Sequence, residues 1–181
     1  NNGILNIGHS DALGTSPTGQ ITLNNLGALS SSLTGGPNQA FLSRIENLST
    51  TGGAVCLGVA GSNNLDFTSA PNLRLGAIGN LTYSGTLTPA NGVYRLGGGG
   101  GTLTVSSQLT GSNSVVISGS VVLRNVNNDF NGGVTIASNN TGIGQTASLG
   151  FTGGSGSVNG NPITFGGAGG TLAYTGSATG S

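Results

Sequence analysis

Apolar and polar residues alternate with a period of two through most of the chain. The pattern is carried by Ile21-Thr22-Leu23, Leu81-Thr82-Tyr83, Leu103-Thr104-Val105, Val115-Val116-Ile117, Val121-Val122-Leu123, Val134-Thr135-Ile136, Ile163-Thr164-Phe165 and Leu172-Ala173-Tyr174. In an extended strand that period sends successive side chains to opposite faces. The runs are short and bounded by Gly, Asn or Ser, which supply turns. Such spacing suits a sandwich, a barrel or a solenoid. Helical spacing occurs once, in residues 38–48, where Phe41, Leu42, Ile45 and Leu48 follow Pro37. There a short helix or 3₁₀ turn competes with a strand.

An internal repeat separates the three architectures. Ile7-Gly8-His9-Ser10-Asp11-Ala12-Leu13-Gly14 returns 136 residues later as Ile143-Gly144-Gln145-Thr146-Ala147-Ser148-Leu149-Gly150. Ile21-Thr22-Leu23 and Leu29 follow the first copy; Ile163-Thr164-Phe165 and Leu172 follow the second. Self-similarity at a fixed offset marks coils that bury their apolar face on their neighbours. The expected fold is all-β: a right-handed parallel β-helix, or β-solenoid, rich in Gly, Asn, Thr and Ser. Residues 1–181 read as a single solenoid segment of roughly one and a third units, cut within a repeat at both ends, with about eight to ten coils of ~18–24 residues. Leu, Val and Ile are expected to stack inward. Asn127, Asn128 and Asn131, close to one turn, are expected to form amide ladders along the coils.

Composition sharpens this. The chain holds 37 Gly, and charged residues make up 4 % at zero net charge. No basic patch exists to release counterions from nucleic acid. No apolar run is long enough to span a membrane. Asn1-Asn2-Gly3 has neither the charged nor the apolar region of a signal peptide, so any export signal is expected outside this chain or already removed.

The candidate chemistry is sparse. The acids are Asp11, Glu46, Asp66 and Asp129; the bases are Arg44, Arg74, Arg95, Arg124 and His9. Glycoside cleavage needs two carboxylates a few ångströms apart, and these four are scattered. His9 and Asp11 read as a hydrogen-bonded turn, since the repeat has Gln145 and Ala147 in their places. Arg44 with Glu46, and Arg124 with Asp129, are candidate surface ion pairs. Cys56 reads as a small buried apolar residue. Gly97 to Gly101 lacks the Lys-Ser/Thr of a phosphate loop and reads as a corner where backbones approach closely. Gly153-Gly154-Ser155-Gly156-Ser157 lacks the acid of a calcium repeat. Asn47-Leu48-Ser49, Asn80-Leu81-Thr82 and Asn139-Asn140-Thr141 fit the N-glycosylation pattern. Tyr83, Tyr94 and Tyr174 would stack on sugar rings if exposed, and are core residues otherwise. No catalytic, cofactor-binding or metal-binding residue is assigned, and no cofactor is expected.

Residues 119–136, Gly-Ser-Val-Val-Leu-Arg-Asn-Val-Asn-Asn-Asp-Phe-Asn-Gly-Gly-Val-Thr-Ile, resemble the autotransporter-associated β-strand repeat. Phe130 takes that family's aromatic position, Gly132 and Gly133 its glycine pair, and Ile136 its closing apolar position; Val134 replaces the usual Thr. Gly101 to Val105, and Ile7 to Leu29 with its Ala12-Leu13-Gly14, resemble flanking pieces, so the likeness covers roughly 1–30 and 85–175. The resemblance implies a right-handed parallel β-helix within a long secreted or cell-surface protein of Gram-negative or related bacteria. The expected function is structural: a stiff extracellular stalk or fibre, joined end to end with itself or continued in a longer chain. Alternatives are an adhesin for surface glycans and, more weakly, a polysaccharide-degrading β-helix enzyme. An ice-binding plane finds only two Thr-x-Thr steps, Thr86-Leu87-Thr88 and Thr102-Leu103-Thr104.

Overall fold

The computed structural model describes residues 3–14, 21–137, 148–152, 160–166 and 170–175, with backbone alone at 148–152 and 174–175. Residues 143–147 of the second repeat copy, Gly153–Ser157, Asn139–Thr141, the Tyr174 ring and 176–181 lie outside the described residues.

The strands form three parallel sheets. The first contains, in spatial order, β1 (Ile4–Ile7), β2 (Ala28–Ser31), β3 (Ala54–Leu57), β5 (Arg74–Ala77), β8 (Val93–Leu96), β10 (Ser114–Ile117), β12 (Val134–Ile136) and β14 (Ile163–Phe165). The second contains β6 (Leu81–Tyr83), β9 (Thr102–Val105), β11 (Ser120–Leu123), β13 (Ser148–Thr152) and β15 (Thr171–Thr175). The third pairs β4 (Leu65–Asp66) with β7 (Leu87–Thr88). The chain therefore visits each face in turn and returns one rung further along: it is a parallel β-solenoid. Partners in the first sheet lie from 19 residues apart (Val115 and Val134) to 29 (Val134 and Ile163). Most of these steps match the expected ~18–24 residues, but the fold amounts to about 6 turns rather than the expected eight to ten.

Register explains the core. Leu5, Leu29, Val55, Leu75, Leu96, Ile117, Ile136 and Phe165 are aligned rung on rung through the first sheet. The six inner members are fully buried, whereas Leu5 and Phe165, at the ends of the column, are each 50 % exposed. The second sheet adds Leu81, Leu103 and Val121, and beside them Tyr83, Val105 and Leu123. On the third face Leu65, Leu87, Leu109 and Phe130 recur every 21 or 22 residues, and all are buried. Each coil thus contributes one or two apolar side chains per face to a continuous interior.

The one α-turn, α1 (Gln39–Leu42), is capped by the Asn38 Oδ1, which accepts from the Phe41 amide at 2.9 Å. It ends at once, and Ile45 returns to the stack by bridging Ile21. Phe41, Leu42 and Ile45 fill the core. The Gln39 side chain donates to the Asp66 carbonyl and accepts from the Asp66 amide at 3.1 and 3.0 Å, standing in for a strand neighbour of β4.

The asparagines depart from the expected ladders. Several of them bond to the backbone of the adjoining coil, and Asn125 also accepts from the Asn127 amide at 2.8 Å within its own turn. Asn128, buried, accepts from the Leu109 amide at 2.8 Å, and Asn125 donates to the Ser106 carbonyl at 2.9 Å. Asn63 donates to the carbonyls of Gly35 and Gly36 at 2.9 and 3.1 Å. Corners have carbonyls and amides left over by the short strands, and the carboxamide matches both.

Candidate functional site

The four carboxylates, Asp11, Glu46, Asp66 and Asp129, are distributed along the chain. His9 caps the 3₁₀ turn Ser10–Leu13, its Nδ1 accepting from the Asp11 amide at 3.2 Å, and both side chains are exposed. Arg44 donates to the carbonyls of Leu13 and Gly14 at 3.4 and 2.7 Å, while Glu46 accepts from the Thr22 hydroxyl at 2.7 Å. Asp66 is exposed; the Thr68 hydroxyl and amide, both bonded to its Oδ1, hold its carboxyl below the usual range. Asp129 and Arg124 are exposed, as are the sequon residues Asn47 and Asn80. Among the described residues no three His, Cys, Asp or Glu side chains come together as a metal site. No described helix is long and apolar enough to cross a membrane.

Two of the three tyrosines are core residues. Tyr83 is fully buried with its hydroxyl donating to the carbonyls of Asn63 and Thr86, each at 2.9 Å, and burial pushes its pKa up. Tyr94 is buried as well, its hydroxyl accepting from the Thr110 amide at 3.2 Å. Neither ring is available to a sugar.

Cys56 lies on the outer side of β3, in a small cluster with Ala28 and Ala54. A sheet's outer face is normally wet; this one is covered by the glycine run. A Cβ at Gly98 would stand 2.9 Å from the Ala54 Cβ, and one at Gly99 would stand 2.5 Å from the Cys56 sulfur. Gly97 to Gly100 all take positive φ, which lets the loop fold back this tightly. Burial pushes the Cys56 thiol from 9.0 up to about 12, with Arg74 opposing. The native state therefore keeps a proton that the unfolded chain releases above pH 9. The associated stability is intact below pH 9 and falls by about 4 kcal/mol as pH rises to 12. Urea unfolding at pH 8 and at pH 11 should show this loss in the wild type and a flatter profile in Cys56→Ala. Equal slopes would place the thiol in water. The rise at Tyr83 is common to both proteins and cancels in the comparison.

An open cleft of about 290 Å³ lies beside the first strand. Ile4, Leu5, Ile21, Leu23, Ala28 and Leu29 supply its apolar walls. Among the described residues β1 pairs with β2 alone, and Ile4 and Leu5 are about half exposed. The arrangement offers strand hydrogen-bonding groups and an apolar wall side by side, which suits another β-segment better than a polar small molecule. Sequence reasoning did not single out Ile4 and Leu5, because Ile4-Leu5-Asn6-Ile7 does not alternate cleanly. Compared with protein-family models, with curated proteins and with solved structures, the chain matches none.

Proposed function

We propose that this chain is a structural segment of an extracellular stalk or fibre, and that it carries no catalytic site. The carrying observation is the column from Leu5 to Phe165, unbroken over eight strands in register. With strands about 4.8 Å apart, such a column fixes roughly 34 Å of length by backbone bonds running along the axis. Bending the rod means breaking rungs, so stiffness follows from the fold. The same rung chemistry serves end-to-end joining, whether to a second copy or to further coils of one chain.

The resemblance of residues 119–136 to the autotransporter-associated repeat supports the reading and adds a bacterial surface location. Its residues also make physical sense here. Phe130 fills the third face. A Cβ at Gly132 would stand 2.8 Å from the backbone at Asn113 and Ser114, and Gly133 takes φ +85°. That glycine pair lets one coil descend onto the next before β12 begins. Antibody raised against this chain should label extended projections on intact, unpermeabilised source cells, seen by immuno-electron microscopy. Labelling that appears only after permeabilisation would overturn the proposal.

A further inference from the structure

The outward-facing row of the first sheet, read in register, is Ile4, Ala28, Ala54, Arg74, Arg95, Val116, Thr135 and Thr164. The alignment of Leu75 with Leu96 sets Arg74 directly beside Arg95. Half of the chain's four formal positive charges thus occupy adjacent rungs, and no carboxylate lies in the row. Like charges directly opposite each other on paired strands are destabilising. Their partners do not cancel the charge, because both guanidinium groups bond to neutral backbone oxygens. Arg95 donates through Nε to the Pro71 carbonyl at 2.7 Å, and Arg74 through Nη2 to the Asn25 carbonyl at 3.4 Å. The Arg74 Nε is covered and has no partner. Both terminal nitrogens of Arg95 and the Nη1 of Arg74 have no acceptor among the described residues.

We propose that Arg74 and Arg95 together form a binding site for one oxyanion group, a carboxylate or a sulfate, bridged between their two forks. Guanidinium forks match the paired oxygens of such groups, and an anion here removes the repulsion that the sheet register imposes. Half-burial of both side chains strengthens the attraction relative to a fully wet surface. The neighbouring residues hold the forks in place: Ala54 leaves room for Arg74 to lie back toward Asn25, and Pro71 anchors Arg95. Burial first pulls the basicity of Arg74 down, Cys56 opposes it, and Arg95 beside it adds to the lowering. The site does not depend on the stalk reading. Its ligand is a free inorganic anion or the acidic group of a polysaccharide.

Thermal unfolding with millimolar sulfate, titrated against chloride at constant ionic strength, tests the site. Wild type and Arg124→Gln, whose arginine is exposed elsewhere, should show the same saturable rise in midpoint. Arg74→Gln and Arg95→Gln should lose it, and without sulfate they should be at least as stable as the wild type. Arg95→Lys keeps the charge but not the fork, so about a tenfold weaker response is expected from it even if a Gln variant fails to fold. Calorimetric titration with polygalacturonate then identifies the source. Competition with sulfate assigns an acidic polysaccharide, and sulfate binding alone assigns a free anion. An equal sulfate response in wild type and both Arg95 variants would overturn the proposal.

Discussion

Gly101→Ala should cost the solenoid about 3 kcal/mol or more, well above an ordinary glycine replacement. Its added Cβ would lie 2.2 Å from the Gly79 oxygen and 2.4 Å from the Gly79 nitrogen, both backbone atoms of the preceding coil. No rotamer relieves such a clash. The coil spacing is fixed nearby by the Gly101 amide, which donates to the Ala77 carbonyl at 2.8 Å, so the two coils must be pushed apart. Gly92→Ala provides the contrast. Gly92 has φ +71°, but its nearest outside atom is 3.6 Å away, so only the backbone strain of about 1 kcal/mol applies. Urea midpoints of the two variants at constant m-value make the comparison. Similar losses would mean that the glycine run does not bring the coils into contact.

Truncation within the axial column should be the other large effect. Leu96→Ala and Ile117→Ala are each expected to cost about 2–5 kcal/mol, since both residues are fully buried and rigid rungs on either side cannot collapse into the gap. The two sit on adjacent rungs, so the double variant should depart from additivity by at least about 0.5 kcal/mol. Leu29 and Ile136 occupy the same column several rungs apart and should combine additively. A stack of nearest-neighbour interactions requires that difference. Coupling of equal size for both pairs would point instead to one globular core.

Where one face of the sheet is wet, the alternation in the sequence marks the strand. Leu103-Thr104-Val105 and Val134-Thr135-Ile136 became β9 and β12 on that signal. The signal vanishes where both faces are covered. Ala54-Val55-Cys56-Leu57 is buried throughout because the glycine run lies over its outer side, and four buried residues have no period of two. Ala28-Leu29-Ser30-Ser31 fails for another reason, placing Ser31 in register between Ile7 and Leu57 on the inner face. Ile21-Thr22-Leu23 alternates well yet forms only a single bridge, at Ile21. In β8 the outward Arg95 looks like an isolated surface cation in the sequence. Only register shows it beside Arg74, a residue from the previous coil, so the candidate anion site could not be read from linear spacing.

Three of the chain's four arginines are held by peptide oxygens: Arg44 at Leu13 and Gly14, Arg74 at Asn25, Arg95 at Pro71. A salt bridge to Asp or Glu is released when acid neutralises the carboxylate, but an amide carbonyl does not titrate in that range, and neither does a guanidinium. These clamps are therefore as strong in vinegar as in neutral buffer. A solenoid fastened this way keeps these clamps through acidification of its surroundings.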